Sequence, residues 1–348
     1  MRTLRLCQFA AAPFLMLWMA VPVLGAPLDH KHLPQDAKWV LHVDLEAITQ
    51  TDLVAQVRQN RPAIANQVRQ WIQDRYGIDP REDLHSLTAF SDTYQANTGV
   101  MILKANYDQN KVASELQNQP NVQTMNWQNY TLYMVEREGL LERRGNRNQS
   151  ANQSANQSAN QSANQPREGQ AGKDKTMTIA LVDGETVVFA SSPERAQMAI
   201  QLLQGEAPSL SADSKLVAGM PKEAIAYGAA IELASIEQRD GFFPVLRQHE
   251  HIVWYFGVDN GEAFDSLKLV ANSEEVAKQM KTALEGAVAF GKVWSADSPN
   301  LTRLAEGTKI TIDGKTVERN WRGDSQTLLA GFGELASRLQ QRVEAVRP

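Results

Sequence analysis

Residues 177–190 read Met-Thr-Ile-Ala-Leu-Val-Asp-Gly-Glu-Thr-Val-Val-Phe-Ala. Two apolar, β-branched runs flank Asp183-Gly184, and Asp-Gly between such runs is the strongest short-range signal of a β-hairpin. Ser192-Pro193-Glu194 follows at once, with a capping serine and a proline that suits the first turn of a helix. This stretch predicts a hairpin followed by a helix.

The same signals recur later in the chain. Asp259-Asn260-Gly261 and Asp313-Gly314 each separate two strand-like runs, and Ser273 is placed to cap a helix after the first of them. If Asp313-Gly314 forms a two-residue turn, Ile310 pairs with Val317, which is a favourable cross-strand pair of β-branched residues.

Near the start of the chain, residues 38–45 alternate as a strand does. The apolar side chains that share one face are Trp39, Leu41, Val43 and Leu45. His42 and Asp44 fall on the other face, which we expect to be the less buried one.

Residues 41–48 and 229–236 hold the same place in two successive series of elements. From this order we predict an α+β fold of two similar units, each an antiparallel sheet with helices packed on one face and a split-βαβ character. The first unit spans 26–210 and the second spans 211–348. The pattern indicates an internal duplication.

A low-complexity tract interrupts the first unit. Residues 148–165 repeat Asn-Gln-Ser-Ala without charge or any large apolar side chain, so they cannot offset the entropy lost on ordering. We predict a disordered loop over about 140–175. Each Asn-Gln-Ser is formally a glycosylation sequon, but a low-complexity insertion without a role is the simpler interpretation.

The first 25 residues have the order of a secretory signal. Arg2 and Arg5 precede an apolar run that ends at Leu24, and small residues follow at Gly25 and Ala26. Cleavage after Gly25 and cleavage after Ala26 both fit, and an uncleaved anchor stays open as an alternative. We therefore expect an exported protein, periplasmic or extracellular, with no membrane span once the signal is removed.

The composition excludes several kinds of functional site and partner. Cys7 is the only cysteine and lies in the signal, so the mature chain would lack disulfides, thiolate metal sites and a cysteine nucleophile. The net charge of −5 argues against nucleic acid as the main partner. We expect a protein or a cell-envelope component as the partner and no cofactor.

Several stretches resemble a group of uncharacterised exported α+β proteins of planctomycete-type bacteria. The matching parts are residues 33–44, residues 182–194, Gly205, Pro208 and Leu210, and the hairpin at 312–317. The resemblance implies export and the fold. It brings no activity, because none is assigned to that group.

Four sets of residues are candidates for a site. His42 and Asp44 share a strand face and could act as an acid–base pair, and the carboxylates of residues 79–83 could serve a hydrolase. His249 and His251 could converge on a metal if they share a strand face, although a third ligand at a recognisable spacing is missing. Residues 254–256, Trp-Tyr-Phe, could line a binding pocket or form core.

These candidates leave three hypotheses for the function. The first is an exported, non-catalytic protein that binds an envelope or extracellular partner. The second is a carrier of a small apolar ligand, and the third is a hydrolase with a non-standard site. The first ranks highest, because the chain contains neither a nucleophile elbow nor a phosphate-binding loop.

Overall fold

The computed structural model describes residues 26–51, 62–95, 97–136, 176–236, 243–259, 261–295, 297–328, 330–331 and 334. The predicted signal at 1–25 and the whole of the predicted loop at 140–175 lie outside these residues.

One antiparallel sheet of twelve strands runs through the described residues. The strand order across it is β11-β12-β10-β9-β8-β1-β2-β3-β7-β6-β5-β4. The bounds in chain order are β1 (Trp39–Asp44), β2 (Leu84–Ser91), β3 (Val100–Ala105), β4 (Val122–Trp127), β5 (Tyr130–Glu136), β6 (Thr176–Leu181), β7 (Thr186–Ala190), β8 (Ala224–Ile231), β9 (His249–Asp259), β10 (Glu262–Ala271), β11 (Thr308–Asp313) and β12 (Thr316–Asp324).

Seven α-helices accompany the sheet within the described residues, which confirms the α+β class. Their bounds are α1 (Leu45–Gln50), α2 (Pro62–Tyr76), α3 (Gln109–Gln117), α4 (Pro193–Leu203), α5 (Phe243–Leu246), α6 (Glu274–Trp294) and α7 (Pro299–Glu306). The two predicted serine caps are present. Ser192 accepts a hydrogen bond from the N–H of Arg195, and Ser273 accepts one from Val276.

The two halves of the chain meet where β1 pairs with β8. Outward from this junction the first half runs β2, β3, β7, β6, and the second half runs β9, β10, β12, β11. The hairpin β4–β5 extends the first half beyond this shared order. The halves therefore form one continuous sheet, while a duplication as its origin stays a prediction.

The predicted hairpins at Asp183-Gly184 and at 259–261 are β6–β7 and β9–β10. The register predicted for β11–β12 is wrong, because Val317 pairs with Ile312 instead of Ile310. Asp313 pairs with Thr316, so the turn residues are Gly314 and Lys315, and Gly314 has a φ of +52°. Glycine at the first central position is what a type II′ hairpin turn requires.

Helices lie on both faces of the sheet. α4 packs on the face that carries Val188, whereas α3 packs on the face that carries Val187. Neighbouring residues of a strand point to opposite sides, so these are the two faces of one sheet. We call the side that carries Val188 the α4 face and the other side the α6 face. The helix α6 packs on the same side as α3, at the other end of the sheet. Thus α3 and α6 share one face, and α4 adds a layer on the other.

The central core lies on the α4 face and spans the junction between the halves. Val40 of β1 is paired with Phe90 of β2 and with Ala229 of β8, and all three are buried. Ala199 and Ile200 of α4, which are fully buried, belong to the same apolar cluster. Burial of this apolar surface is the main favourable contribution to folding at the junction.

The hydroxyl of Tyr94 forms hydrogen bonds at one end of the junction between β1 and β8. It lies 3.1 Å from the carbonyl oxygen of Lys38, before β1, and 2.5 Å from that of Ile231, the last residue of β8. Burial raises the pKa of this phenol, so the hydroxyl stays protonated and can donate at neutral pH.

Replacement of Tyr94 by phenylalanine should lower the free energy of unfolding by about 1 kcal/mol, because a half-buried donor to the carbonyl oxygens of Lys38 and Ile231 is lost. Urea unfolding measures the change. Tyr76→Phe is the matched control, since its ring contacts Trp71 and Arg75 and packs against an apolar cluster, while its hydroxyl makes no hydrogen bond within the described residues. Equal losses in the two variants would contradict the role of the Tyr94 hydroxyl at the junction.

Candidate functional site

The α4 face is covered by other parts of the chain only in part. A row of residues that pair directly across neighbouring strands shows where this cover ends. It runs outward from β1 to the edge strand β11 through His42, Tyr227, Tyr255, Ser266, Asn320 and Lys309. Tyr227 is fully buried, Tyr255 is half-buried and Lys309 is exposed. The α4 face is therefore closed over the junction and opens towards the edge strand, because Ser266 of β10 is still buried, Asn320 of β12 is half-buried and Lys309 of β11 is exposed.

The cover ends at the connector between α4 and β8. Leu216 in this connector is fully buried, and its carbonyl oxygen accepts a hydrogen bond of 2.8 Å from the Tyr227 hydroxyl. Residues 215–221 then form a rim beside the open strands, because Lys215, Gly219 and Pro221 line the space there.

Two adjoining cavities lie between this rim and the open strands. The larger has a volume of about 520 Å³ and the smaller about 360 Å³, and both are lined by Tyr255 and Ser266. The larger also contacts Phe264, Lys309, Asn320 and Arg322. The smaller also contacts His251, Val253, Lys268 and Glu318.

An aromatic pair forms the floor of the larger cavity. The rings of Tyr255 and Phe264 meet edge to face, with centroids 6.1 Å apart and an interplanar angle of 69°. The guanidinium carbon of Arg322 lies 5.5 Å from the centre of the Phe264 ring, a cation–π distance. Gly257 makes this possible, because a β-carbon there would lie 2.2 Å from Cζ of Phe264.

Polar side chains of both signs surround the aromatic pair. Ser266 donates a hydrogen bond of 2.6 Å to the amide oxygen of Asn320. Lys268 pairs with Glu318 at 3.5 Å across β10 and β12. Exposed ion pairs of this kind contribute little to stability, so they remain available to a partner.

The structure reverses the faces predicted for β1. His42 is only 3% exposed and Asp44 only 6%, whereas Leu41 is 40% exposed on the α6 face. The prediction failed because the α4 face is the deeper layer, and the segment that begins at Ala26 covers its polar residues. Hydrogen bonds satisfy those residues there.

His42 bonds to Thr88 and Ala26 and not to Asp44. Its Nδ1 lies 2.9 Å from Oγ1 of Thr88, and its Nε2 lies 3.0 Å from the carbonyl oxygen of Ala26. A carbonyl only accepts, so Nε2 carries the proton and Nδ1 accepts from the threonine hydroxyl. Burial lowers the pKa of His42 to about 4, which keeps the ring neutral near pH 7.

Asp44 caps the helix α1. Its Oδ1 accepts a hydrogen bond of 2.8 Å from the N–H of Ala47. Burial raises the pKa of this carboxyl group above its ordinary value. The predicted acid–base pair is thus a pair of buried, hydrogen-bonded groups beneath the N-terminal segment.

His249 and His251 do not share a face. A β-bulge leaves Glu250 unpaired, so His251 pairs with Val270 and His249 pairs with Ala271. His251 lines the smaller cavity, whereas His249 is buried with its Nδ1 3.0 Å from the carbonyl oxygen of Val245. The shared face on which the metal hypothesis depended is therefore wrong, and no group of three metal-binding side chains occurs among the described residues.

The aromatic run at 254–256 is split between the faces. Tyr255 lines both cavities on the α4 face. Trp254 and Phe256 point to the α6 face, where Nε1 of Trp254 lies 3.4 Å from Asp265 and Phe256 packs near Trp321. The acidic residues at 79–83 stabilise a loop, since Arg69 pairs with both oxygens of Asp79.

Most of the open face was not predicted from the sequence. Its signal is a polar set of period two in successive strands, namely Ser266 and Lys268 in β10 and Glu318, Asn320 and Arg322 in β12. Apolar residues such as Leu267 and Trp321 alternate with this set. Their pattern indicates that the segments are strands, but it does not indicate which face of the sheet is left uncovered.

No protein-family model matches the chain, and a search of curated proteins gives no match. Among solved structures, the chain is similar to crystal forms of TP0453, a Treponema protein. Form III aligns with a TM-score of 0.44 and 8% identity over 89% of this chain and 99% of that chain. Form I aligns with a TM-score of 0.43 and 9% identity over 89% and 98%. At such values we infer nothing about the site.

Within the part of the chain that the structure describes, no helix is both long and apolar enough to cross a bilayer.

Gly257→Ala should destabilise the protein by about 1–3 kcal/mol, because Phe264 and the carbonyl oxygen of Glu223 would both have to move. Gly184→Ala is the control. A β-carbon there meets no atom within 4 Å, and we expect a change within about 0.5 kcal/mol. Chemical unfolding measures both variants. A Gly257 variant as stable as the control would contradict the tight packing of Phe264.

His42 should make stability fall in acid. Its folded pKa of about 4 lies below the ordinary value of 6.5, so the unfolded chain binds the proton more readily. The contribution is complete above about pH 6.5 and is lost progressively towards pH 4, on the order of 3 kcal/mol in all.

Urea unfolding of the wild type and His42→Gln from pH 8 to pH 4.5 tests this. The wild type should lose more stability than the variant below pH 6.5, while the difference between the two proteins stays constant from pH 7 to pH 8. Parallel curves over the whole range would show that His42 does not titrate in this way.

Proposed function

We propose that this chain is an exported, non-catalytic binding protein that holds an envelope or extracellular partner on the open part of its α4 face. One observation carries the proposal. The cover of that face stops at the rim of residues 215–221, and two cavities open directly beyond it around Tyr255 and Ser266. Concave surfaces with a few convergent polar groups are the usual form of binding sites.

The buried candidates support binding rather than catalysis. Both ring nitrogens of His42 are engaged, and the ring is almost inaccessible. Asp44 caps a helix, and Asp79 is held by Arg69. A general acid or base must reach the proton that it transfers, and His42, Asp44 and Asp79 line neither of the two cavities described above.

The chemistry of the open face favours a protein partner. Tyrosine and arginine are the residues most enriched at the energetic centres of protein interfaces, and Tyr255 and Arg322 lie together here. Lys309 and Glu223 also line the larger cavity, so both signs of charge are present. A mixed-sign surface selects a complementary polar partner and does not favour nucleic acid.

A carrier of a small ligand is the second candidate, supported by the volume of the larger cavity. About 520 Å³ lies in the range of small-molecule sites. Because Ser266, Asn320 and Arg322 line this space, such a ligand would need polar groups beside its apolar part. Native mass spectrometry of the protein from its own host would show a releasable mass of a few hundred daltons in that case.

Site-specific photocrosslinking in the envelope fraction tests the main proposal. A photoreactive residue in place of Lys309, at the edge of the larger cavity, should capture a discrete protein. The same residue in place of Gln279, an exposed position on α6, should not. Tyr255→Ala introduced beside the probe should reduce capture at least about tenfold, as expected for the loss of an aromatic anchor.

Trp71→Ala is the matched aromatic control, because Trp71 is 56% exposed and does not line either cavity. It should leave capture unchanged. A Ser266→Ala variant, which removes only the hydroxyl, guards against misfolding in the tyrosine variant and should also weaken capture. Equal capture from positions 309 and 279, or capture that Tyr255→Ala does not reduce, would overturn the proposal.

A further inference from the structure

Two residues of the edge strand β4 turn their backbone polar groups away from the sheet. β4 pairs with β5 on one side, and no described strand pairs with it on the other. The N–H of Glu136 in β5 donates to the carbonyl oxygen of Asn121 at 3.0 Å, which fixes the alternation of the ladder. Because hydrogen-bonded and non-bonded pairs alternate in an antiparallel ladder, the N–H and C=O groups of Thr124 and Asn126 point outward. Both residues are exposed.

This edge lacks the features that usually keep a strand from pairing with another chain. Natural edge strands are protected by charged side chains, by proline or by a β-bulge. β4 contains no charged residue and no proline, and its pairing with β5 runs without a bulge. The strand at the other edge, β11, carries Lys309 and Asp313. The two edges of the sheet therefore differ, and β4 is the one that can accept a further strand.

The absence of charge extends over the whole β4–β5 hairpin. Residues 116–135 contain no Asp, Glu, Lys or Arg, although these types make up 22% of the chain. Amide and hydroxyl side chains both donate and accept hydrogen bonds, so a surface built from them can complement a copy of itself. A charged residue near a two-fold axis would instead face its own like charge. The chemistry of this hairpin therefore fits a second copy of the same chain.

We propose that β4 is a dimerisation edge, at which two copies of this chain join their sheets by antiparallel pairing of β4 with β4. Each copy uses this edge once, so the assembly is closed at two chains. The hairpin β4–β5 is also the part of the described sheet that lies outside the order shared by the two halves. The dimer goes beyond the proposed function and does not depend on it, because the open face lies towards the other edge of the sheet.

The register of the pairing follows from which outward groups are available. The N–H of Val122 already donates to the carbonyl oxygen of Gln119 at 3.2 Å. A two-fold axis beside Met125 uses the remaining groups fully, because it places Thr124 opposite Asn126 of the partner subunit on both sides of the axis. The residues of each such pair exchange both backbone hydrogen bonds. The side chains at positions 124 and 126 then lie side by side across the interface.

Sedimentation equilibrium of the purified protein tests the dimer. The mass should rise from that of one chain towards that of two chains between about 1 and 100 µM, as expected for a small interface. A mass that stays at one chain over this range would overturn the proposal. A mass that continues to increase beyond two chains would also overturn it, because an antiparallel pair of edges leaves no second copy of β4 free.

Charged side chains at positions 124 and 126 test the register. In Thr124→Lys/Asn126→Lys, like charges face each other in both pairs, so the dissociation constant of the dimer should rise at least about tenfold. In Thr124→Lys/Asn126→Glu, each new cation faces a new anion of the other copy, so the dimer should persist. This second variant also shows that two charged residues in β4 are compatible with folding.

Thr311→Lys is the matched control at the other edge of the sheet. It adds a lysine two residues from Lys309 in β11, at an exposed position, and should leave the dissociation constant unchanged. A double-lysine variant of β4 that dimerises as the wild type does would overturn the pairing of β4 with β4. A lysine–glutamate variant that is as weak as the double-lysine variant would overturn the register, and loss of the dimer in Thr311→Lys would assign the interface to β11.

Discussion

The pairing of β1 with β8 is the constraint on which the other features of this fold depend. It joins the two halves edge to edge, with Val40 beside Ala229 and His42 beside Tyr227. Since the strands are antiparallel, each half grows outward from the junction in the same order. The central core lies across this junction and is built from both halves, while smaller apolar clusters lie within each half.

The open face follows from the same junction. After α4 has packed on the first half, the chain must return to the start of β8 in the middle of the sheet. The connector covers what it crosses, with Leu216 over Tyr227, and ends at Pro221. Its cover still reaches Val253 of β9, which is buried, but leaves Tyr255 of the same strand half-buried. Beyond that point the α4 face carries Lys268 and Glu318 in place of apolar residues. The cavity around Tyr255 is therefore the edge of the core, left open by topology.

Local signals in the sequence predicted the elements well. The Asp-Gly turns and the caps at Ser192 and Ser273 specify hairpins and helix starts through backbone geometry and nearby hydrogen bonds, which distant contacts do not alter. Predictions that needed distant contacts failed. The face of β1 was reversed because its buried polar residues depend on Thr88 and Ala26, and neither is adjacent in sequence.

The candidate site shows the same division between local and distant information. The aromatic run at 254–256 was recognised, but only Tyr255 faces the cavities, because alternate residues of a strand point to opposite sides. The two histidines were separated by the bulge at Glu250, which the sequence does not mark. The site residues that were missed lie on the polar face of their strands. From the sequence alone such a face cannot be told from an ordinary solvent-exposed face, because the sequence does not show where the connector stops covering the sheet.

A final physical point favours binding over catalysis at the open face. The row that starts at His42 passes from rigid core to solvent within five neighbouring strands, so Tyr255 is held from below while its ring faces the cavity. Side chains that are ordered before a partner arrives lose little entropy on binding. Gly257 and Phe264 add to this order by close packing beneath the surface. A rigid platform with polar groups of both signs is suited to recognition.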